Sequence, residues 1–329
     1  MITPLRQVAT CEDMEEKLFF ILDKRFYTMI TAVKCIFIPT EEVRAFIKGH
    51  VKNMKKIPQR EICERISQLD GIVGLYVESL ESGEIFEINP NHVFCSASTI
   101  KIPILALLLK DVDAGKLDWK AKIPLSKRNR VGGTGILSKL DEDYEPTLEK
   151  LALLMIILSD NTATNQIVDL IGLNRITEFC KELGYTHTRC ERKQMDLQAI
   201  ADGLNNYTSA GDIGRMLSAI AKGNLVSANA SKTIHTFMSK QMCCNKLPSR
   251  VPAVPCFWPD EERVDIKPNM VLVANKTGDF FQVEHDVGIF TLPDGRQYII
   301  AVLTGEITSA REAIESIADV SRIVYDAMK

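Results

Sequence analysis

Three short strings carry side chains that could together perform acyl transfer: Ser98-Thr99-Ile100-Lys101, Ser159-Asp160-Asn161 and Lys276-Thr277-Gly278. An alcohol is a poor nucleophile near neutral pH, so a serine that attacks a carbonyl needs a proton acceptor within hydrogen-bond reach. The i to i+3 spacing of Ser98 and Lys101 puts the two on one face of a helix. A lysine accepts a proton only if its pKa falls, which burial in an apolar helix and a second nearby cation both promote. Lys276 is the candidate for that cation. A helix start at Ser98 would also aim backbone N–H groups and the positive end of the helix dipole at developing negative charge.

Each string taken singly has a plainer reading. Ser98 with Lys101 could be a helix cap followed by an exposed lysine. Yet Lys101 lies in so continuous an apolar run that its ammonium needs a partner or an escape to solvent. Ser159-Asp160-Asn161 could be a turn in which Asp or Asn caps the next helix, a role compatible with catalysis. Lys276-Thr277-Gly278 could be a strand end with a surface lysine, although Gly278 would also let a substrate lie against the strand edge. The occurrence of all three in this order favours the chemical reading.

The elements that must hold these strings follow from the pattern. Ile62, Ile66 and Leu69 recur at helical spacing after Pro58, and Asp70-Gly71 breaks that helix. Residues 72–79 and 84–88 read as a hairpin turning around Glu81-Ser82-Gly83. The stretch 98–109 is apolar on nearly every face, which marks a helix buried between layers, with Pro103 early enough to be tolerated. A second helix runs from about Thr147 through Leu151 to Leu158 and delivers Ser159 at its end. Helices dominate to about residue 242, with starts at Thr208 with Asp212 and at Ser227. Strands return at 270–277, 283–292 and 297–304, and a helix at 309–328 closes the chain. Strands, helices, strands is the order of an α/β (α+β) fold, an antiparallel sheet built from both ends of the chain with a helical domain inserted. The expected domains are 57–97 with 250–329 for the sheet, and 98–249 for the helices. Residues 1–56 form an added segment, expected as two helices around an extended stretch.

The 329 residues include 40 basic and 43 acidic side chains, so no net field recruits nucleic acid or an anionic membrane. Nine scattered cysteines do not form a disulfide framework, which favours a reducing compartment. Cys243, Cys244, Cys256 and His235 match no zinc-binding spacing, so no metal and no cofactor is expected. The apolar runs at 18–22 and 26–38 are too short to span a bilayer, and no small-residue cleavage site follows them. The expectation is a cytoplasmic chain that meets a small-molecule substrate. Gly132-Gly133-Thr134-Gly135 lacks the lysine and hydroxyl residue that complete a phosphate loop.

From about Pro58 to the C-terminus these motifs resemble those of a class A β-lactamase, or of a serine hydrolase in that superfamily. The resemblance implies a five-stranded antiparallel sheet flanked by helices and an omega-like loop over about 185–207. It makes Ser98 the acylated nucleophile, Lys101 its proton acceptor and Ser159 the hydroxyl that passes a proton to the leaving nitrogen. Asn161 would hold the substrate side chain, and Lys276 and Thr277 the substrate carboxylate. The backbone N–H of Asp279 would complete an oxyanion hole with that of Ser98. The glycine-rich turn 132–135 would lie on one wall of the cleft.

Two positions depart from the family pattern. Aligning Arg189 and Arg192 with the family's loop arginines sets Gln194 where a glutamate activates the deacylating water, and glutamine accepts no proton. Glu191 and Asp196 are the nearby carboxylates, and Asp196 is the substitute base to test. His285 falls where many relatives carry an arginine for the substrate carboxylate; it either does that work when protonated or is a packed strand residue. Three functions are implied: a hydrolase of β-lactams or related cyclic amides, a module that acylates with little turnover and so binds or senses penicillins, and an esterase or peptidase for another acyl group.

Overall fold

The sheet is built from strands that read as near-continuous apolar runs because both of its faces are covered. In the computed structural model, which describes residues 55–141, 143–254 and 269–329, the strands are β1 (Ile72–Ser79), β2 (Ile85–Ile88), β5 (Leu272–Phe280), β6 (Val283–Thr291) and β7 (Gln297–Gly305). They lie in the order β2-β1-β7-β6-β5, every neighbour antiparallel. The antiparallel sheet expected from both chain ends is therefore present. A two-residue ribbon, β3 (Phe94–Cys95) with β4 (Tyr207–Thr208), stands apart from it. The helices expected before residue 55 lie outside the described residues.

Two apolar cores cover the sheet. The smaller joins Leu75, Val77, Ile300 and Val302 to Ile62 of α1 (Gln59–Ile66) and to Ile317, Val320 and Val324 of α9 (Ala310–Met328). The larger joins Tyr76, Val287, Ile289 and Ala301 to the helical layer. That layer contains α2 (Lys101–Asp113), α3 (Leu148–Ile157), α4 (Asn161–Ile171), α5 (Leu173–Glu182), the short α6 (Leu197–Ala201), α7 (Ala210–Ala221) and α8 (Ala228–Ser239). None of the helices among the described residues is long and apolar enough to cross a membrane.

Capping fixes where these helices begin. The side chains of Thr147, Asp160, Ser209, Ser227 and Ser309 each accept a backbone N–H of the first turn that follows. Ser209, not Thr208, starts α7. Thr208 belongs to β4, where it is paired with Phe94 and its hydroxyl shares a hydrogen bond of 2.9 Å with that of Thr188.

The region around Ser98 differs from the expected helix start. Residues Ala97–Ile100 form one 3₁₀ turn, and the α-helix begins only at Lys101. Ala97 sits in the left-handed region at φ +44°, which bends the chain out of β3 and delays the i to i−4 ladder. Pro103 then falls in the first α-helical turn, where its missing N–H is tolerated.

Close approach of α7 to the sheet depends on Gly214, where an added Cβ would lie 2.2 Å from the Tyr76 ring. Gly214→Ala is expected to destabilise the protein by about 1–3 kcal/mol through overpacking, read as a lower urea midpoint. An unchanged midpoint would show that the Tyr76 ring yields freely.

Candidate active site

The site is assembled around a buried amine. Lys101 Nζ lies 2.9 Å from Ser98 Oγ, 3.0 Å from Ser159 Oγ, 2.7 Å from the Ser159 carbonyl oxygen and 2.9 Å from Asn161 Oδ1. Burial pushes its pKa well below the usual lysine range, and the Lys276 charge pushes it further. A neutral amine has two protons and one lone pair. The two carbonyl oxygens can only accept, so they take the protons, leaving the lone pair for the hydroxyl of Ser98. Ser159 Oγ also receives Lys276 Nζ at 3.1 Å, so one hydroxyl touches both lysines. Burial brings Lys276 down to about 8.

Ser159 is held in a conformation that ordinary residues avoid, with φ +53°. The glycine-rich turn 132–135 is what holds it. Thr134 Oγ1 donates to the Ser159 carbonyl at 2.6 Å, and the Asn161 N–H donates to the Thr134 carbonyl at 3.1 Å. Asp160 Oδ2 accepts the backbone N–H groups of Ile136 and Leu137, while Oδ1 caps α4. Asn161 Nδ2 donates to the Gly132 carbonyl, which, with Lys101 on its Oδ1, fixes the amide's orientation. A Cβ at Gly135 would lie 2.2 Å from Asp160 Oδ2, and one at Gly133 would lie 2.6 Å from Asn161 Nδ2. The turn mounts the Ser159-Asp160-Asn161 string from the cleft wall.

On the opposite side runs the edge strand β5. A Cβ at Gly278 would meet Ser98 N and the Ser96 carbonyl, each at 3.2 Å. Glycine here lets the strand press against the nucleophile's own turn. Lys276 and Thr277 are almost fully buried, as is Ser159, and they do not line the open hollow. Ser98, Asn161 and Asp279 do line it, together with Gly133, Thr134, Arg192 and Gln194.

Asp279 faces Glu284 directly across the β5–β6 pair, two carboxylates in a position where like charges repel. The buried Lys246 lies between them, paired with Asp279 and 2.6 Å from Glu284 Oε2, and donates to the His285 carbonyl at 3.1 Å. Burial opposes the charge on Lys246, but the two carboxylates outweigh it and raise its pKa. For Asp279 the Lys246 charge likewise outweighs burial and holds the carboxyl below its usual range.

His285 is fully buried and accepts the Thr304 N–H on Nδ1 at 3.0 Å, so its Nε2 carries the proton and donates to the Cys95 carbonyl at 2.8 Å. Burial lowers its pKa to about 4. Of the two expectations for His285, the structure supports the packed strand residue; a neutral ring with both nitrogens bonded to the backbone does not bind a carboxylate.

The omega-like loop is closed at its base, where Arg189 and Tyr207 exchange backbone hydrogen bonds of 3.0 and 2.9 Å. Asn165, one turn along α4 from Asn161, accepts the Gln194 N–H at 2.7 Å and donates to its carbonyl at 3.0 Å. Gln194 is thereby pinned in the hollow. Asp196 is exposed and accepts the Ala199 N–H as the cap of α6, and it does not line the hollow. Glu191 accepts from Arg189 Nε and the Asn205 N–H. Neither carboxylate lines the hollow.

Residues 57–328 match the profile of the β-lactamase enzyme family. The chain belongs to that family. Beta-lactamase CARB-3 of Pseudomonas aeruginosa is 28% identical over 188 residues, which span 56% of this chain and 65% of that relative. Among solved structures, a β-lactamase from Sphaerobacter thermophilus DSM 20745 superposes with a TM-score of 0.73 at 27% identity, covering 83% of this chain and 98% of the other. An acyl-enzyme complex of a PBP-A variant with penicillin G gives 0.70 at 27% identity, over 82% of this chain and 95% of the other.

In this member of the β-lactamase family, Lys246 and Asn165 are site residues that the motif reading missed. Asn165 had a signal, its position one helical turn after Asn161 on the same face. Lys246 had none, since it meets Asp279 from 33 residues away in sequence. The Lys101 geometry sets a direct test. Lys101→Met is expected to slow covalent labelling of Ser98 by a fluorophosphonate by about 10²–10⁴-fold, measured by intact mass against time. Labelling at the parental rate would remove Lys101 as the proton acceptor.

Proposed function

We propose that the chain is a serine hydrolase of the class A β-lactamase type, which opens a β-lactam or related cyclic amide through an acyl-Ser98 intermediate and releases it slowly. The single observation that carries this reading is the 2.9 Å contact between Ser98 Oγ and a Lys101 amine whose pKa is depressed. Ser98 Oγ attacks the carbonyl carbon and its proton passes to Lys101 Nζ. Negative charge on the carbonyl oxygen develops between the backbone N–H groups of Ser98 and Asp279. Ser159 Oγ, which touches both lysines, passes its proton to the nitrogen as the C–N bond breaks and takes one back from Lys101. Lys276 supplies the positive charge that a substrate carboxylate would meet.

Release is the weaker half. Hydrolysis of the ester needs a water stripped of its proton, and Gln194 stands in the hollow with no capacity to take it. The same residue favours a second reading, in which the protein binds or senses β-lactams by acylating without useful turnover. Intact mass against time after mixing with penicillin G separates the two. A transient adduct with hydrolysed product accumulating supports turnover, a persistent adduct supports the second reading, and labelling unchanged by Ser98→Ala sinks both.

Two further outcomes are expected. Gln194→Glu restores a proton acceptor and should shorten the adduct lifetime by about 10²-fold, whereas Asp196→Asn, which keeps the helix cap, should leave it unchanged. A shorter-lived wild-type adduct than the Gln194→Glu one would refute the assignment. The second-order acylation constant reports the free enzyme. It should fall as pH rises through about 8, where Lys276 loses its charge, and Lys276→Ala should remove that alkaline limb. A rate still rising above that pH would argue against a charged Lys276 in substrate capture.

A further inference from the structure

A second hollow, of about 240 Å³, lies between the end of α7, the first turns of α8 and the start of β7, and it shares no lining residue with the one beside Ser98. Ile220, Ala221 and Ala228 give it an apolar lining. Its polar groups come from Ser231, Lys232 and His235 of α8 and from Gln297 of β7. The spacing 228, 231, 232, 235 places the α8 contributors on one face of that helix. Size narrows what fits. An apolar cavity of about 150 Å³ is enough for benzene, so this hollow has room for one ring or a short branched chain together with a polar head.

Most of the polar groups around it are already engaged. Ser231 Oγ donates to the Leu225 carbonyl at 2.9 Å and accepts the Leu225 N–H at 3.1 Å. Gln297 Nε2 donates to Thr291 Oγ1 at 2.9 Å, and Lys222, beside the lining residues Ala221 and Gly223, is paired with Glu78 at 2.7 Å. Two groups are left over. His235 Nε2 is buried and has no hydrogen-bond partner among the described residues, a condition that folded proteins relieve with a water or a ligand. Lys232 is exposed and pairs with no carboxylate among the described residues. Burial holds the His235 ring below its ordinary pKa, so near neutral pH the ring is uncharged and Lys232 supplies the charge of the lining.

We propose that this hollow binds a small monocarboxylate with an apolar body, its carboxylate held by the Lys232 ammonium and the His235 Nε2–H and its body against Ile220, Ala221 and Ala228. Either ring nitrogen of a neutral histidine can carry the proton, and a carboxylate selects the tautomer that has it on Nε2. A cation of the same size meets the Lys232 charge, and a neutral molecule leaves that charge unused. Water alone satisfies His235 but covers none of the apolar lining. A dicarboxylate would need a second cation, and Lys222 is committed to Glu78. The site does not involve Ser98 and is independent of the acyl-transfer reading.

The probe is benzoate, titrated into the full chain while the ring Cε1–H signals of its five histidines are followed by NMR. The His235 signal is the one lost in His235→Gln. It is expected to shift saturably, with a dissociation constant of about 10 mM or tighter, the range for a ligand of so few atoms. Lys232→Gln should weaken binding at least about threefold. Ala228→Leu, which fills the hollow, should abolish it, and Lys181→Gln, an exposed lysine on α5 outside the hollow, should leave it unchanged. Lys232 is at the surface, so its variant decides the matter even where Ala228→Leu fails to fold. Benzamide and benzylamine, of similar shape, should each bind at least about threefold more weakly than benzoate. No saturable shift of the His235 signal means that the hollow holds only water, and the proposal fails. An affinity unmoved by Lys232→Gln also overturns it, as benzoate bound beside Lys276 would give. Benzamide or benzylamine binding as tightly as benzoate overturns the assignment to a carboxylate.

Discussion

The site depends on burying two lysines around one serine hydroxyl. Taking an ammonium out of water costs several kcal/mol unless neighbours compensate, and Lys101 and Lys276 are both fully buried with Ser159 Oγ between them. Burial and the Lys276 charge both favour a Lys101 that gives up its proton, the state in which it would serve Ser98 as a base on the proposed mechanism. Burial lowers Lys276 only to about 8, so it keeps most of its charge at neutral pH, with Asp279 and Asp286 among the groups that oppose the effect of burial. Two identical side chains thereby acquire different work from their surroundings.

Holding that arrangement requires strain and close approach on both flanks. Ala97, Ser159 and Met195 all occupy left-handed backbone conformations, and all three border the cleft or its proton path. On one flank the 132–135 turn grips Ser159 and Asn161 through backbone groups. On the other, Gly278 lets β5 lie against the Ser96–Ser98 turn. Gly278 thus sets the distance between two backbones, a role that needs partners brought together by the fold.

The closeness of Ser98 to Lys101 and the antiparallel sheet were legible because each rests on local signals: helical spacing for Ser98 and Lys101, apolar runs for the strands, capping residues for the helices. The residues that escaped are those whose partners arrive from elsewhere. Lys246 gives no sign in sequence that it will sit between Asp279 and Glu284, since only the β5–β6 register opposes those carboxylates. The ribbon of β3 and β4 escaped for the same reason, two residues on each side being too short for a periodic signal. His285 was legible as a strand residue, but its tautomer and charge depend on Thr304 and Cys95, which the fold brings in from β7 and β3.

Attack and release are separable demands on this architecture. Attack needs a desolvated amine, and the apolar helix and the two-lysine arrangement supply it. Release by hydrolysis would need a water held beside a base; Gln194, Met195 and Leu197 line one part of the hollow. Asn165 pins the Gln194 backbone with two hydrogen bonds, and the amide side chain held there takes no proton. Asp196 is engaged elsewhere, its carboxylate closing the first turn of α6. On the proposed mechanism, the backbone that would hold a deacylating side chain is in place around Gln194, so the identity of that one residue would set the balance between turnover and capture.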